Sequence, residues 1–171
     1  MTKTTIRRAE PRDAPTLAAL GRTTFSQTFA HLYPPEDLQA FLAEAYSPER
    51  IEAELADPAK AAWLAEWQGE AVGYATAGPC GLAHAEVTPQ CGELKRLYVL
   101  EGWKGEGVAK ALMDVAMAWL EETRTGRLWL GVWSENWRAQ RFYARLGFEK
   151  VGEHHFKVGQ TLDRDFIYRR G

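Results

Sequence analysis

Cysteine and asparagine are scarce in this chain. Cys80 and Cys91 are its two cysteines, and Asn136 is its one asparagine, in 171 residues. Two cysteines so far apart do not make a zinc motif, and they suit a reducing compartment. No apolar run approaches the roughly 20 residues that span a bilayer. The opening MTKTTIRRAEPRD has no apolar core, so no signal peptide is expected and a cytoplasmic protein is the default. Neither sign of charge dominates: 21 Lys and Arg stand against 23 Asp and Glu, a net charge of −2. A broad basic surface for nucleic acid is therefore not expected. Several motifs are missing as well. There is no G-x-x-x-x-G-K-[ST] loop, and a G-x-G-x-x-G fingerprint fails where Lys110 replaces the third glycine. Ser134 lies in V-W-S-E-N, not in a G-x-S-x-G elbow. His154 and His155 are adjacent on an expected strand, where neighbours point to opposite faces, so a shared metal is not expected. Repeats, low-complexity tracts and linkers are not found.

What is present reads as one domain, residues 1–171, of mixed α/β class. Apolar content is 46% and charged content 26%, ordinary for a globular protein of this size. Thr4 to Ala9 reads as a strand. Pro11 and Asp13 signal a helix, with Asp13 as its cap, that runs through Ala30. A second helix carries Leu38, Phe41, Leu42 and Ala45 on one face. Ser47-Pro48 starts a third, with Ile51 and Leu55 inward. Ala61 to Trp67 and Ala71 to Ala77 read as an antiparallel hairpin about Gln68-Gly69. Gly78 to Gly92 is expected to be a mobile loop near the site. Further strands are expected at Arg127 to Trp133, Phe148 to Val151 and Thr161 to Arg169. A helix from about Asn136 to Gly147 lies between the first two of these.

The stretch around which these segments are arranged runs from Glu93 to Leu120. Glu93 to Val99 is a short strand rich in Leu, Tyr and Val. The helix after it opens near Gly105, with Val108, Leu112, Val115 and Trp119 as its apolar face. Gly102, Gly105 and Gly107 fill the turn, with Lys104 alongside. No Ser, Thr, Asp or Asn stands at the cap, so the first helical amides lack side-chain partners. Free N–H groups at the positive end of a helix dipole make an anion site, and a phosphorylated ligand is its natural guest.

Two motifs then carry a resemblance. Lys104, Gly107 and Ala109 occupy the places of [QR]-x-x-G-x-[GA], with Lys104 where Arg or Gln is usual. Asn136, Ala139, Phe142, Tyr143, Gly147 and Phe148 spell N-x-x-A-x-x-F-Y-x-x-x-G-F. In this order, with a strand between them, they resemble the two signatures of the GNAT (Gcn5-related) N-acetyltransferase family. The resemblance implies a mixed sheet of six to seven strands flanked by helices, with splayed strands holding acetyl-CoA as cosubstrate and no metal. It implies that backbone groups of Leu97, Tyr98 and Val99 pair with the pantetheine arm. Amides of Lys104, Gly105, Glu106, Gly107, Val108, Ala109 and Lys110 would take the pyrophosphate.

The same resemblance puts the Tyr143 phenol near the thioester sulfur, where an O–H can protonate the departing thiolate. Asn136 has two readings, as the cap of its helix or as a hydrogen-bond partner of the pantetheine arm. Glu93 matches a position where some members of the family carry a general base, and Glu135 and Tyr98 are the other candidates. GEHHFKVGQTLDRDF and TTFSQTFAHLYPPEDLQAFL resemble the bacterial spermidine/spermine branch. That implies a polyamine or similar small amine as acceptor, met by carboxylates among Glu36, Asp37, Glu44, Glu86 and Asp163. Acceptors on a protein N-terminus or lysine remain open, as do a non-catalytic acyl-CoA-binding role and a homodimer.

Overall fold

The computed structural model describes residues 4–171. Its frame is one seven-stranded sheet in the order β1-β2-β3-β4-β5-β7-β6. In chain order the strands are β1 (Thr5–Arg8), β2 (Ala61–Trp67), β3 (Glu70–Pro79), β4 (Gly92–Val99), β5 (Leu128–Trp133), β6 (Glu149–Val158) and β7 (Thr161–Arg170). Neighbours are antiparallel except β4 and β5. The helices are α1 (Ala14–Phe29), α2 (Pro35–Ala45), α3 (Pro48–Ala56), α4 (Val108–Thr123) and α5 (Trp137–Arg145). The expected class, strand number and β2–β3 hairpin are all present.

Successive residues of a strand face opposite sides of the sheet, and β2 uses both. Ala61, Trp63 and Ala65 join Leu112, Met113, Ala116 and Leu120 of α4 in one core. Ala62 and Leu64 join Leu17, Phe25, Leu42 and Ile51 of α1, α2 and α3 in the other. Leu64 and Leu112 are wholly inaccessible, and each such side chain contributes about 1.5–3 kcal/mol through removal of apolar surface from water.

Local signals explain most element ends. The Ser47 hydroxyl accepts the Arg50 amide at 3.2 Å, with Pro48 at the first helical position, a cap typically worth about 1 kcal/mol. Asp13 behaves differently from expectation. It makes no cap bond for α1; its carboxylate accepts the Glu10 amide and two bonds from the Arg7 guanidinium. The approach of Arg7 from β1 outcompetes the local role.

Four other expectations are corrected. The fourth helix opens at Val108, not Gly105, because Gly105 and Gly107 have φ of +85° and +82°, outside the right-handed helix. Its buried stripe is Val108, Leu112, Met113, Ala116, Met117 and Leu120; Val115 and Trp119 lie at its margin, with Trp119 against Trp63. β6 runs on to Val158, because its pairing with β7 supplies hydrogen bonds that no local pattern announced. β3 likewise reaches Pro79. The segment after it is anchored by Cys91, which clusters with Trp129, Ile167, Leu82 and Val87.

Candidate active site

The site begins at a fault in the sheet. β4 and β5 pair only over Gly92–Leu94. Against β3, Arg96 pairs with Thr76 and Leu94 with Ala77, so Lys95 is one residue too many. A bulge of this kind bends the strand that carries it. Beyond it β4 holds β3 on one side and has no strand on the other. The splay thus starts at Lys95, just before the Leu97–Val99 stretch that the resemblance assigns to the pantetheine arm. It leaves unclaimed backbone groups in mid-sheet, a ready partner for an extended ligand.

Two hollows open along this fault. The first, a trough of about 340 Å³, is lined by Leu97, Tyr98 and Val99 from β4 and by Lys104, Gly105 and Gly107 from the turn. Val108, Ala109 and Lys110 from the start of α4 also line it, as do Asn136 and Tyr143. Glu106 is exposed and is not part of the lining, unlike the other residues expected there. No side chain caps α4, and its amide ladder starts with Ala111 donating to Gly107. A Cβ added at Gly105 or Gly107 would meet nothing within 4 Å, so the backbone is open to a ligand. Arg138 and Arg145, seven residues apart on one face of α5, also line the trough. Together with Lys104 and Lys110 they make four cations with no lining carboxylate. Lys104 pairs with Glu101 at 2.9 Å and Lys110 with Asp114 at 2.6 Å, exposed pairs that cost about 0–1 kcal/mol to open. The uncapped amides, open glycines and cations fit a diphosphate.

The second hollow, a chamber of about 300 Å³, lies on the other side of the fault. Aromatic rings make much of its wall: Phe25, Phe29, Tyr33, Trp133 and Phe156. Phe29 meets Trp133 edge-on at 5.6 Å, so the end of α1 closes over β5. Glu93, Asp163 and Asp165 bring carboxylates into it, and Lys95, Arg96 and His154 bring nitrogen. Glu93 is buried, and its Oε1 accepts the Gly81 amide at 2.9 Å and the Lys95 ammonium at 3.1 Å. That oxygen therefore ties the segment after β3 to β4. Tyr33 donates to Asp163. Burial, with the nearby charge of Asp163, raises Asp165 to about 6.

Leu97, Tyr98, Asn136, Ala139 and Tyr143 belong to both hollows. Asn136 caps α5 through Oδ1, which accepts the Ala139 amide at 3.1 Å. Gln140 donates to the carbonyls of Trp133 and Ser134 and holds α5 against the end of β5. These bonds place Tyr143, on the second turn of α5, at the junction. Burial raises its pKa, so the phenol keeps its proton across the neutral range. Among the described residues, no hydrogen-bond partner takes that hydroxyl proton. Burial also raises Tyr98, which stacks on Tyr74 at 5.9 Å and is better suited to donate than to act as a base.

The remaining acidic candidates lie elsewhere. Glu135, Glu36 and Glu44 are exposed and outside the chamber. Glu86 pairs with Arg127 and Arg169, and Asp37 accepts from Gln160 and Thr161 in the β6–β7 turn. Of the five carboxylates expected to meet an amine, Asp163 alone faces the chamber. Asp165 was missed, although its spacing of two from Asp163 on an expected strand placed both on one face.

A cationic trough meeting a carboxylate-bearing chamber at a protonated tyrosine is the layout of a two-substrate transferase with a phosphorylated donor. The Acetyltransferase (GNAT) family profile matches residues 24–148. The chain is 31% identical over 170 residues to an uncharacterised N-acetyltransferase of Lactobacillus delbrueckii subsp. lactis, covering 99% of this chain and 98% of that one. It is 35% identical over 158 residues to an uncharacterised N-acetyltransferase of Mycobacterium tuberculosis, covering 92% and 97%. Its fold is similar to the PaiA N-acetyltransferase of Thermoplasma acidophilum, crystallised with coenzyme A, with a TM-score of 0.79 at 20% identity over 99% of both chains. The chain belongs to the GNAT acetyltransferase family. It is an acyltransferase, with acetyl-CoA as its cosubstrate.

Proposed function

We propose that this enzyme acetylates the primary amine of a small molecule, with a polyamine such as spermidine or spermine as the leading acceptor class. The supporting observation is the junction at Tyr143, where a trough suited to a diphosphate carrier opens into a separate chamber bearing carboxylates and aromatic rings. Carboxylates attract an ammonium group, and aromatic walls suit its alkyl stem. The two free cysteines favour a reducing compartment, the cytoplasm.

In this reading the amides at the start of α4, with Lys104, Arg138 and Arg145, hold the diphosphate. The free edge of β4 at Leu97–Val99 pairs with the amide-bearing arm, and Asn136 keeps that edge open by capping α5. Acetyl-CoA, when bound, would supply a thioester acyl group with the coenzyme A thiolate as leaving group. Tyr143 donates its proton toward the sulfur as negative charge develops there. Glu93 and the β7 carboxylates are the acidic groups available to the incoming amine.

A coenzyme A release assay across polyamines, amino acids, aminoglycosides and peptides tests the assignment. Turnover concentrated on spermidine and spermine is the expected result. Turnover on peptides alone would overturn it.

A further inference from the structure

We propose that Asp165 is the proton acceptor for the incoming amine, with Asp163 beside it holding the cationic nitrogen. This rests on the acetyltransferase reading and identifies the group that prepares the nucleophile.

The register of three strands assembles the site. Asp165 lies opposite Trp133 of β5 and His154 of β6, and Asp163 lies opposite Phe156. All five line the chamber that Tyr143 shares. Gly131 sits beneath them. A Cβ there would meet His154 Nε2 at 3.4 Å and Asp165 Oδ2 at 4.0 Å, so the missing side chain leaves the carboxyl open to the chamber.

The carboxylates are also unbalanced. Lys95 is bound to Glu93, and Arg96 lies over the Tyr46 ring at 4.6 Å and near Glu54 at 3.9 Å. Among the described residues no lysine or arginine forms an ion pair with Asp163 or Asp165. The nearest basic group is His154 Nε2, 3.9 Å from Asp165, a buried nitrogen without a hydrogen-bond partner. Two partly buried carboxylates without a lysine or arginine partner are costly unless a ligand provides the charge. A primary ammonium supplies that charge.

The groups that face Asp165 are Asp163 on its own strand, His154 on β6 and Tyr33 beyond α1. Glu93, Lys95, Arg96 and Tyr98 face it from β4, and Tyr143 from α5. Its raised value, about 6, is that of a base with its carboxylate formed at neutral pH yet able to hold a proton. The proton count closes. An ammonium loses one proton to expose its lone pair and a second as the N–C bond forms. The departing sulfur regains one as the C–S bond breaks, and one passes to solvent. Asp165 takes the proton that exposes the lone pair.

The test pairs kinetics with a direct titration. Asp165→Asn is isosteric and should lower kcat/KM for the amine at least about 100-fold, the usual range for a lost base. It should also abolish the acid limb of the pH–rate profile, with coenzyme A affinity by calorimetry unchanged. Glu93→Gln should keep that limb, and Asp163→Asn should raise KM more than it lowers kcat. A wild-type limb in Asp165→Asn would overturn the proposal. In the free protein, the Asp165 side-chain carbon should titrate near pH 6 by NMR, and n-butylammonium should lower that midpoint. A midpoint near the ordinary ~3.9, or one that n-butylammonium leaves unmoved, would also overturn it. The titration needs no turnover. A silent amine panel would therefore sink the functional reading while leaving Asp165 to be judged separately.

Discussion

At the scale of single residues, Tyr143 and Asp165 differ in how burial serves them. Burial holds the Tyr143 phenol protonated, which fits a donor. Tyr143→Phe should lower kcat at least about tenfold, roughly 1.4 kcal/mol of transition-state stabilisation. Calorimetric affinity for coenzyme A should hardly change, since the phenol is assigned to the sulfur and not to the diphosphate. Wild-type turnover by that variant would remove the donor role. Burial makes ionised Asp165 a burden on the fold. Its folded value, about 6, lies above the ordinary carboxylate range, so its contribution to stability is whole below about pH 4 and lost as pH rises through 6. Asp165→Asn should therefore melt about 2–4 °C higher than wild type at pH 8. The difference should shrink toward zero near pH 3.5. Calorimetric scans at the two pH values check this, and equal melting at pH 8 would contradict it.

At the scale of elements, the turn before α4 and the bulge in β4 do the positioning. Gly107 takes a left-handed conformation at the helix cap with empty space around its Cα. Gly107→Asp would introduce backbone strain and a negative charge where the diphosphate is assigned. Acetyl-CoA affinity should fall at least about tenfold by calorimetry, about 1.4 kcal/mol. Undiminished affinity would move the diphosphate elsewhere. The sequence made this turn legible, because its glycines and its missing cap are local facts. It also made Ser47 legible as a cap and Asn136 as the start of α5, for the same reason. The Lys95 bulge was not legible. Nothing in GELKRLYV distinguishes a straight strand from a bent one, since the extra residue exists only relative to β3. β6 was read too short for a similar cause: its outer half, EHHFKV, is held as a strand by β7 rather than by its own alternation.

At the scale of the whole molecule, β1 is joined to the rest by an ion-pair group with a pH signature. Arg7 binds Asp13 at 2.7 Å and Glu66 at 2.9 Å, linking β1 to the start of α1 and to β2. The Arg7 hydrogen bond is the main cause that lowers Asp13 to about 2. A lowered carboxylate contributes stability that is whole above the unfolded value, about 4, and is lost as pH falls toward 2. Asp13→Asn should accordingly lower the melting temperature at pH 7 by about 2–4 °C, and the gap should close as pH approaches 2. A constant gap across that range would assign the effect to packing. The sequence by itself determined the Ser47 and Asn136 caps, the hairpin about Gln68-Gly69, the uncapped glycine turn before α4 and the tyrosine on α5. Each depends on residues within a turn or two of one another, where propensity and hydrogen bonding act without the rest of the chain. Only the tertiary structure decided where β4 leaves β5, which carboxylates share a chamber, and that among the described residues Asp165 has no lysine or arginine partner there. Those outcomes depend on register between strands far apart in sequence. Register is set by how two cores fill, one on each face of the sheet, and no local stretch encodes it.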